Sequence, residues 1–226
     1  MIAEPCQANY ILIAMMKAAA PLRPRGRPRG FDRAEALETA MRLFWSRGFE
    51  ATSISDLTQA MGINPPALYG AFGDKKRLFL EAVELYERGP GCFGQQALTQ
   101  EPTAEAAIRR LLLDAVKMFT HPDNPGGCLV LSGSTNYTAE SDDIREALAE
   151  RRRLAERTVR GRIKAGQQAG ELADDADVDA LAGAVTAVLY GLAVKARDGA
   201  SRASLVRAAE QSMRMWPRRR PGRGPD

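Results

Sequence analysis

The chain's apolar positions recur at helical spacing, and the punctuation between them divides it into successive helices. The first is predicted over 32–47, capped by Asp32, with Ala36, Leu37, Ala40, Met41, Phe44 and Trp45 on its buried side and Gly48 ending it. Ser53 or Ser55 caps the next, whose inward positions are Ile54, Leu57, Ala60 and Met61, and Gly62 supplies the permissive backbone needed to leave it. Asn64 caps a third, with Pro65 at its first position, where a missing N–H costs nothing and φ is already helical. Leu68 and Phe72 stand four apart and pack back on Leu57 and Ile63, leaving Ala67, Tyr69 and Gly70 on the outer face. A fourth helix over 74–88 packs through Leu78, Phe79, Ala82, Val83 and Tyr86 and joins this unit to the rest of the chain.

Beyond residue 90 the pattern remains helical. GPGCFG reads as a glycine-rich break, a helix is expected over 103–120 until His121-Pro122 ends it, and a short apolar helix runs from near Cys128 toward Tyr137. A long amphipathic helix over 141–168 stops at Gly170, with its RRRLAER run as a solvated face. The last two helices, 178–195 and 201–216, are the most apolar of the chain and need cover.

Within residues 52–75, TSISDLTQAMGINPPALYGAFGDK, a short helix, a glycine turn and a second short helix spell out a helix-turn-helix, a device whose outer face fits a DNA major groove. Residues 31–80 resemble the N-terminal domain of TetR/AcrR-type transcriptional repressors through the GFEATSI opening, the MGIN turn, the ALYGAF helix and the following GDKKRLF. A chance helical hairpin is the better reading of a lone pattern of this kind, but here several independent pieces agree in order. Contact roles follow residue by residue. Thr52 and Ser53 resemble the family's phosphate contacts through hydroxyls and backbone amides at the helix start. Tyr69 matches its phosphate-reaching tyrosine, with closure of the hairpin as a second role. Lys75 combines an ammonium with a helix N-terminus. Base readout is sparse. Pro65, Pro66, Ala67 and Gly70 offer no side-chain hydrogen bonds, so Asn64 is the one polar candidate beside thymine-methyl contacts from Pro66 and Ala67 and close backbone approach at Gly70.

Charge sharpens this picture more by its distribution than by its net +4: residues 21–80 hold ten Arg/Lys against six Asp/Glu, whereas 81–217 hold seventeen against twenty. Arg23, Arg25, Arg27 and Arg29 alternate with proline and glycine, so no helix forms there, and the segment suits an arm following phosphates into a narrow minor groove rather than a solubilising tail. Three cysteines and one histidine are too few for a zinc module or a disulfide framework, so no metal or cofactor is expected and a reducing cytoplasm is the natural compartment. The apolar run at 10–16 is too short to span a bilayer, and Met15 or Met16 is an alternative start that would leave residues 1–14 an over-extended frame or a leader. The expected divisions are a disordered leader at 1–22, a basic arm at 23–30, the helix-turn-helix domain at 31–80, an effector-binding and dimerisation domain at 81–217 and a disordered basic tail at 218–226.

The expected fold is therefore all-α, a three-helix DNA-binding domain followed by a larger helical domain. The resemblance implies a homodimer built by the last two helices, with Leu181, Ala184, Val188, Leu192, Leu205 and Met213 as interface candidates, and an inverted-repeat operator in double-stranded DNA as partner. It also implies a cavity for a small effector, and the candidates Met118, Phe119, Cys128, Leu131, Tyr137 and Tyr190 favour an apolar or aromatic molecule. Cys128 in GGCL stands at a helix start, where the dipole lowers a thiol pKa. An electrophile-sensing repressor is thus one alternative, against a small buried residue in a tight turn. A DNA-binding architectural protein without an effector is another. An enzyme is not expected, because no nucleophile–base pair, metal cluster or phosphate-binding glycine loop is present.

Overall fold

Asp32 starts the first helix as its composition demands, its carboxylate accepting the amides of Ala34 and Glu35 at 2.7 and 3.3 Å. In this computed structural model, which describes residues 31–132 and 137–218, α1 (Arg33–Arg47) is followed by α2 (Ile54–Met61), α3 (Pro65–Phe72) and α4 (Lys75–Arg88). Ser53 closes a reciprocal capping box with Asp56, and Gly62 leaves α2 at φ 64°, a left-handed conformation that a β-carbon would disfavour. Leu57, Leu68 and Phe72 are buried as expected, while Ala60 is exposed and Thr58 takes an inward place, donating its hydroxyl to the Ile54 carbonyl. Phe44, Phe49 and Phe79 close the unit, with Phe79 meeting the other two edge-on at 5.0 and 5.2 Å. Burying each such ring contributes about 1.5–3 kcal/mol, so packing rather than propensity holds these eight-residue helices.

The remaining helices are α5 (Phe93–Gln100), α6 (Ala104–Phe119), α7 (Leu129–Ser132), α8 (Asp142–Gln168), α9 (Val178–Arg197) and α10 (Arg202–Ser212). The GPGCFG segment breaks the helix only at Gly89, which ends α4; a 3-10 turn at Pro90–Cys92 then runs straight into α5, and Gly91 serves close packing. A β-carbon on Gly91 would lie 2.7 Å from the Tyr86 ring, and one on Gly94 would lie 3.4 Å from Leu111. The central α6 is covered by α5, α9 and α10, and α8 lies along α9, joined by the Arg160–Asp179 ion pair. By length and composition α9 would suit a membrane span, yet here Leu181, Ala182, Val185, Thr186, Leu192 and Ala193 are packed inside the helical domain. RRRLAER is only partly a solvated face: Arg151 pairs with Glu87 of α4 at 3.3 Å and Arg152 donates to the Val130 carbonyl at 3.2 Å.

One expectation about the chain's edge changes. Arg218, placed with the tail, is anchored by a bridge to Leu172 and an ion pair with Glu105 at 2.7 Å. Among the described cysteines, Cys92 is disulfide-bonded and Cys128 is free. The leader, the arginine arm with Arg25, Arg27 and Arg29, and residues 219–226 lie outside the described residues.

Candidate nucleic-acid interface and effector-domain core

The local geometry of α2 and α3 decides which of the expected contact groups face outward. Thr52 does not: its side chain is fully buried and donates to the Gly48 carbonyl at 2.7 Å. Ser53 is exposed, but its hydroxyl donates to Asp56 and accepts the Asp56 amide at 3.0 Å, and its own amide donates to the same carboxylate at 2.8 Å. This serine spends its polar groups on the cap, and the Ser53 hydroxyl beside Asp56 holds that carboxyl below its ordinary range. The polar group left on the outer side of this helix start is Ser55, which stands in the first turn among amides with no helical acceptor. Sequence alone suggests Ser55 only as an alternative cap.

Asn64 caps α3 by accepting the Ala67 amide at 2.9 Å through Oδ1, so its Nδ2 donor is the group that remains for a base edge. Pro65, Pro66 and Gly70 are exposed and Ala67 is half-buried. Tyr69 is 49% exposed, so part of the side chain is covered by the hairpin while the rest is open to solvent. Lys75 is turned inward instead. Its ammonium lies 4.2 Å over the Phe49 ring, and burial pushes its pKa down against the pull of Glu50 and Asp56. Arg77, in the first turn of α4, is the exposed cation there.

A buried junction carries this surface on the helical domain. The Trp45 indole donates to the Gly127 carbonyl at 3.2 Å, and its ring meets Tyr86 edge-on at 4.8 Å. Arg197 at the end of α9 donates to the carbonyl oxygens of Trp45 and Ser46, and Arg42 donates to that of Asp123 at 2.7 Å. Toward the other side, Lys76 pairs with Asp143 at 2.8 Å. The Ser141 hydroxyl beside Glu50 holds the Glu50 carboxyl low, assisted by Thr138 and Lys75 against the opposing effect of burial.

Of the effector-pocket candidates, Met118 and Cys128 meet at the Tyr86 hydroxyl, 3.9 and 3.3 Å away, whereas buried Phe119 turns to Phe93 at 6.0 Å. Leu131 is half-buried. Tyr137 and Tyr190 have hydroxyls shielded from solvent and without a hydrogen-bond partner among the described residues. The expected lowering of the Cys128 pKa is reversed: burial pushes the thiol up, outweighing the Tyr86 hydroxyl and nearby amides, since α7 is a single four-residue turn. A cavity of about 300 Å³ lies elsewhere, between Arg109, Glu210, Met213, Arg214, Trp216 and Arg218.

Four of the six interface candidates, Leu181, Leu192, Leu205 and Met213, are buried within this chain's own core. Ala184 and Val188 are half-buried. The outer face of α9 is made instead by Ala180, Ala187, Gly191 and Val194, the last 57% exposed.

This arrangement has known counterparts. Residues 36–82 match the family of bacterial regulatory proteins, tetR family, and residues 104–212 match the tetracyclin repressor-like C-terminal domain. The HTH-type transcriptional repressor ComR of Escherichia coli (strain K12) is 36% identical over 85% of this chain and 92% of its own length. The HTH-type transcriptional repressor BdcR of the same organism is 29% identical over 78% and 84%. Among solved structures, a cysteine mutant of the TetR family regulator CifR, complexed with 26-base-pair double-strand operator DNA, superposes with a TM-score of 0.82. That protein is 41% identical, over 84% of this chain and all of that one. With the helix-turn-helix and the helical domain both matched in order, the chain belongs to the TetR family of transcriptional regulators.

Proposed function

We propose that this protein is a repressor that binds an inverted-repeat operator in double-stranded DNA as a homodimer and leaves it when a small molecule occupies the helical domain. The observation that carries the DNA reading is the outward presentation of Asn64, Pro66, Tyr69 and Gly70 on α3, beside the exposed start of α2. Relatives named as repressors and a similar regulator complexed with operator DNA support the same reading. The apolar outer face of α9 supports pairing of two copies, which gives one recognition helix to each half-site. Because α3 offers few base-reading groups, groove shape read by Arg25, Arg27 and Arg29 contributes to discrimination.

Duplexes selected from random DNA test this directly. In titrations at matched salt the selected duplex should bind on the order of 10³-fold or more tightly than its scramble, with two half-sites one or two helical turns apart. Deleting residues 1–29 should reduce both affinity and that ratio. Equal binding of selected and scrambled duplexes would mark a non-specific architectural protein and overturn the proposal.

A further inference from the structure

The last described residues are pinned to the helical domain rather than left to fray. After α10 a 3-10 turn at Met213–Met215 closes with the Trp216 amide donating to the Met213 carbonyl at 3.2 Å. Beyond it the Ala173 amide donates to the Pro217 carbonyl at 3.0 Å, and Arg218 bridges to Leu172. Met213 and Trp216 are buried. Where this turn meets α6 and the end of α10 lies the cavity of about 300 Å³, at the lower end of the range for small-molecule sites.

The polar wall of that cavity is cationic. Arg109 of α6 pairs with Glu210 of α10 and with Glu105 at 3.6 Å, and Glu105 also takes Arg218 at 2.7 Å. Two guanidiniums thus share two carboxylates. The third, Arg214, is exposed and donates to the Gln211 side-chain oxygen at 3.3 Å, with no carboxylate within ion-pair distance among the described residues. One positive charge is left over, beside two apolar side chains.

We infer that this cavity is a binding site for a small organic monoanion, whose carboxylate is taken by Arg214 with help from Arg109 and Arg218 and whose apolar body lies against Met213 and Trp216. A guanidinium fork matches the two oxygens of a carboxylate, and a single negative charge balances the one left over. A bare inorganic anion would leave the apolar wall uncovered, and a neutral apolar molecule would leave Arg214 unmatched. The site shares no residue with the Tyr86–Cys128–Met118 cluster, so it is additional to an effector pocket there and does not depend on the repressor reading.

Calorimetric titration of the full-length protein with benzoate and 2-naphthoate, each beside its primary alcohol, and with acetate tests the site. At least one aromatic carboxylate should bind tenfold or more tightly than both its alcohol and acetate. It should also raise the melting temperature, because it binds the folded chain. Arg214→Gln and Arg218→Gln should each remove most of the preference, and both variants should fold, since these side chains are exposed. Benzoate should alter tryptophan emission through Trp216, one of two tryptophans in the chain, and Trp45→Phe should retain that change. Equal affinity for acid and alcohol would refute the anion, and acetate binding as tightly as the aromatic acids would refute the apolar wall. A preference that survives Arg214→Gln would place the ligand elsewhere on the protein. Any of these three results overturns the inference.

Discussion

Gly70 stands inside α3 with nothing among the described residues within 4 Å of where a β-carbon would sit, so nothing there explains the missing side chain. A glycine in a helix interior costs roughly 0.5–1 kcal/mol relative to alanine. Its outward position on the recognition helix points to a constraint imposed from outside, by a DNA backbone or base edge that approaches too closely for a methyl group. Gly70→Ala should thus stabilise the protein by about 0.5–1 kcal/mol in calorimetry while weakening operator binding at least tenfold in an anisotropy titration. Unchanged operator affinity would mean that Gly70 faces solvent in the complex as well. The same scale exposes where the residue type misleads. Thr52 and Ser53 carry the right hydroxyls in the right motif, but the first is buried under Gly48 and the second closes a cap, and neither fate is visible from spacing. Lys75 likewise has the right charge, yet the Phe49 ring is the nearer partner.

Helices whose signals are local are legible, and those defined by what lies across from them are not. The Asp32, Ser53, Asn64 and Asp74 caps and the Gly62 turn sit within a few residues of what they cap, so α1 to α4 start and stop where the sequence predicts. By contrast α5 hides behind glycines that a chain-breaking reading takes literally, although Gly91 is there to admit the Tyr86 ring. The harder case is α9, which is apolar nearly all round, so periodicity cannot say which side meets its own domain. Leu181, Val185 and Leu192 go inward together with Ala182 and Ala193, Leu192 to 2% exposure, whereas Ala180, Ala187, Gly191 and Val194 stay outside. The two faces make opposite forecasts. Leu192→Ala should cost about 2–5 kcal/mol of folding stability through the cavity it leaves, with dimers persisting in whatever fraction remains folded. Val194→Lys should leave a folded chain that sediments as a monomer at concentrations where the unmodified protein is a dimer. A dimeric Val194→Lys protein would assign pairing to another surface.

At the scale of the whole molecule, the question is which contacts hold the DNA-binding unit at a fixed angle to the helical domain. Two kinds cross the junction. Trp45 donates to the Gly127 carbonyl in a buried setting, while Lys76–Asp143 and the Glu50 contacts with Thr138 lie near solvent. Exposed pairs contribute about 0–1 kcal/mol, whereas stranding a buried carbonyl costs about 1–3 kcal/mol. Trp45→Phe keeps an aromatic ring against Tyr86 but removes the indole donor and leaves a small cavity where the five-membered ring sat. It should therefore lower the melting temperature by roughly 2–12 °C or more, at about 2–4 °C per kcal/mol for a chain of this size, whereas Lys76→Ala should shift it by no more than about 2–4 °C. Acid adds a second reading of the same joint. The Glu50 and Asp143 carboxyls are both lowered in the folded protein from ordinary values of 4.5 and 3.8, Glu50 chiefly by the Ser141 hydroxyl and Asp143 by Lys76. Their contributions are therefore complete above those ordinary values and are lost as pH falls through the lowered ones. Calorimetry from pH 7 down to pH 3 should show the Trp45→Phe penalty already complete at neutral pH and the Lys76→Ala penalty shrinking as Asp143 protonates. If the Lys76 change proved the more damaging at pH 7, the surface pairs rather than the buried tryptophan would fix the domain angle, and an effector acting near Tyr86 and Cys128 would need another route to the recognition helix.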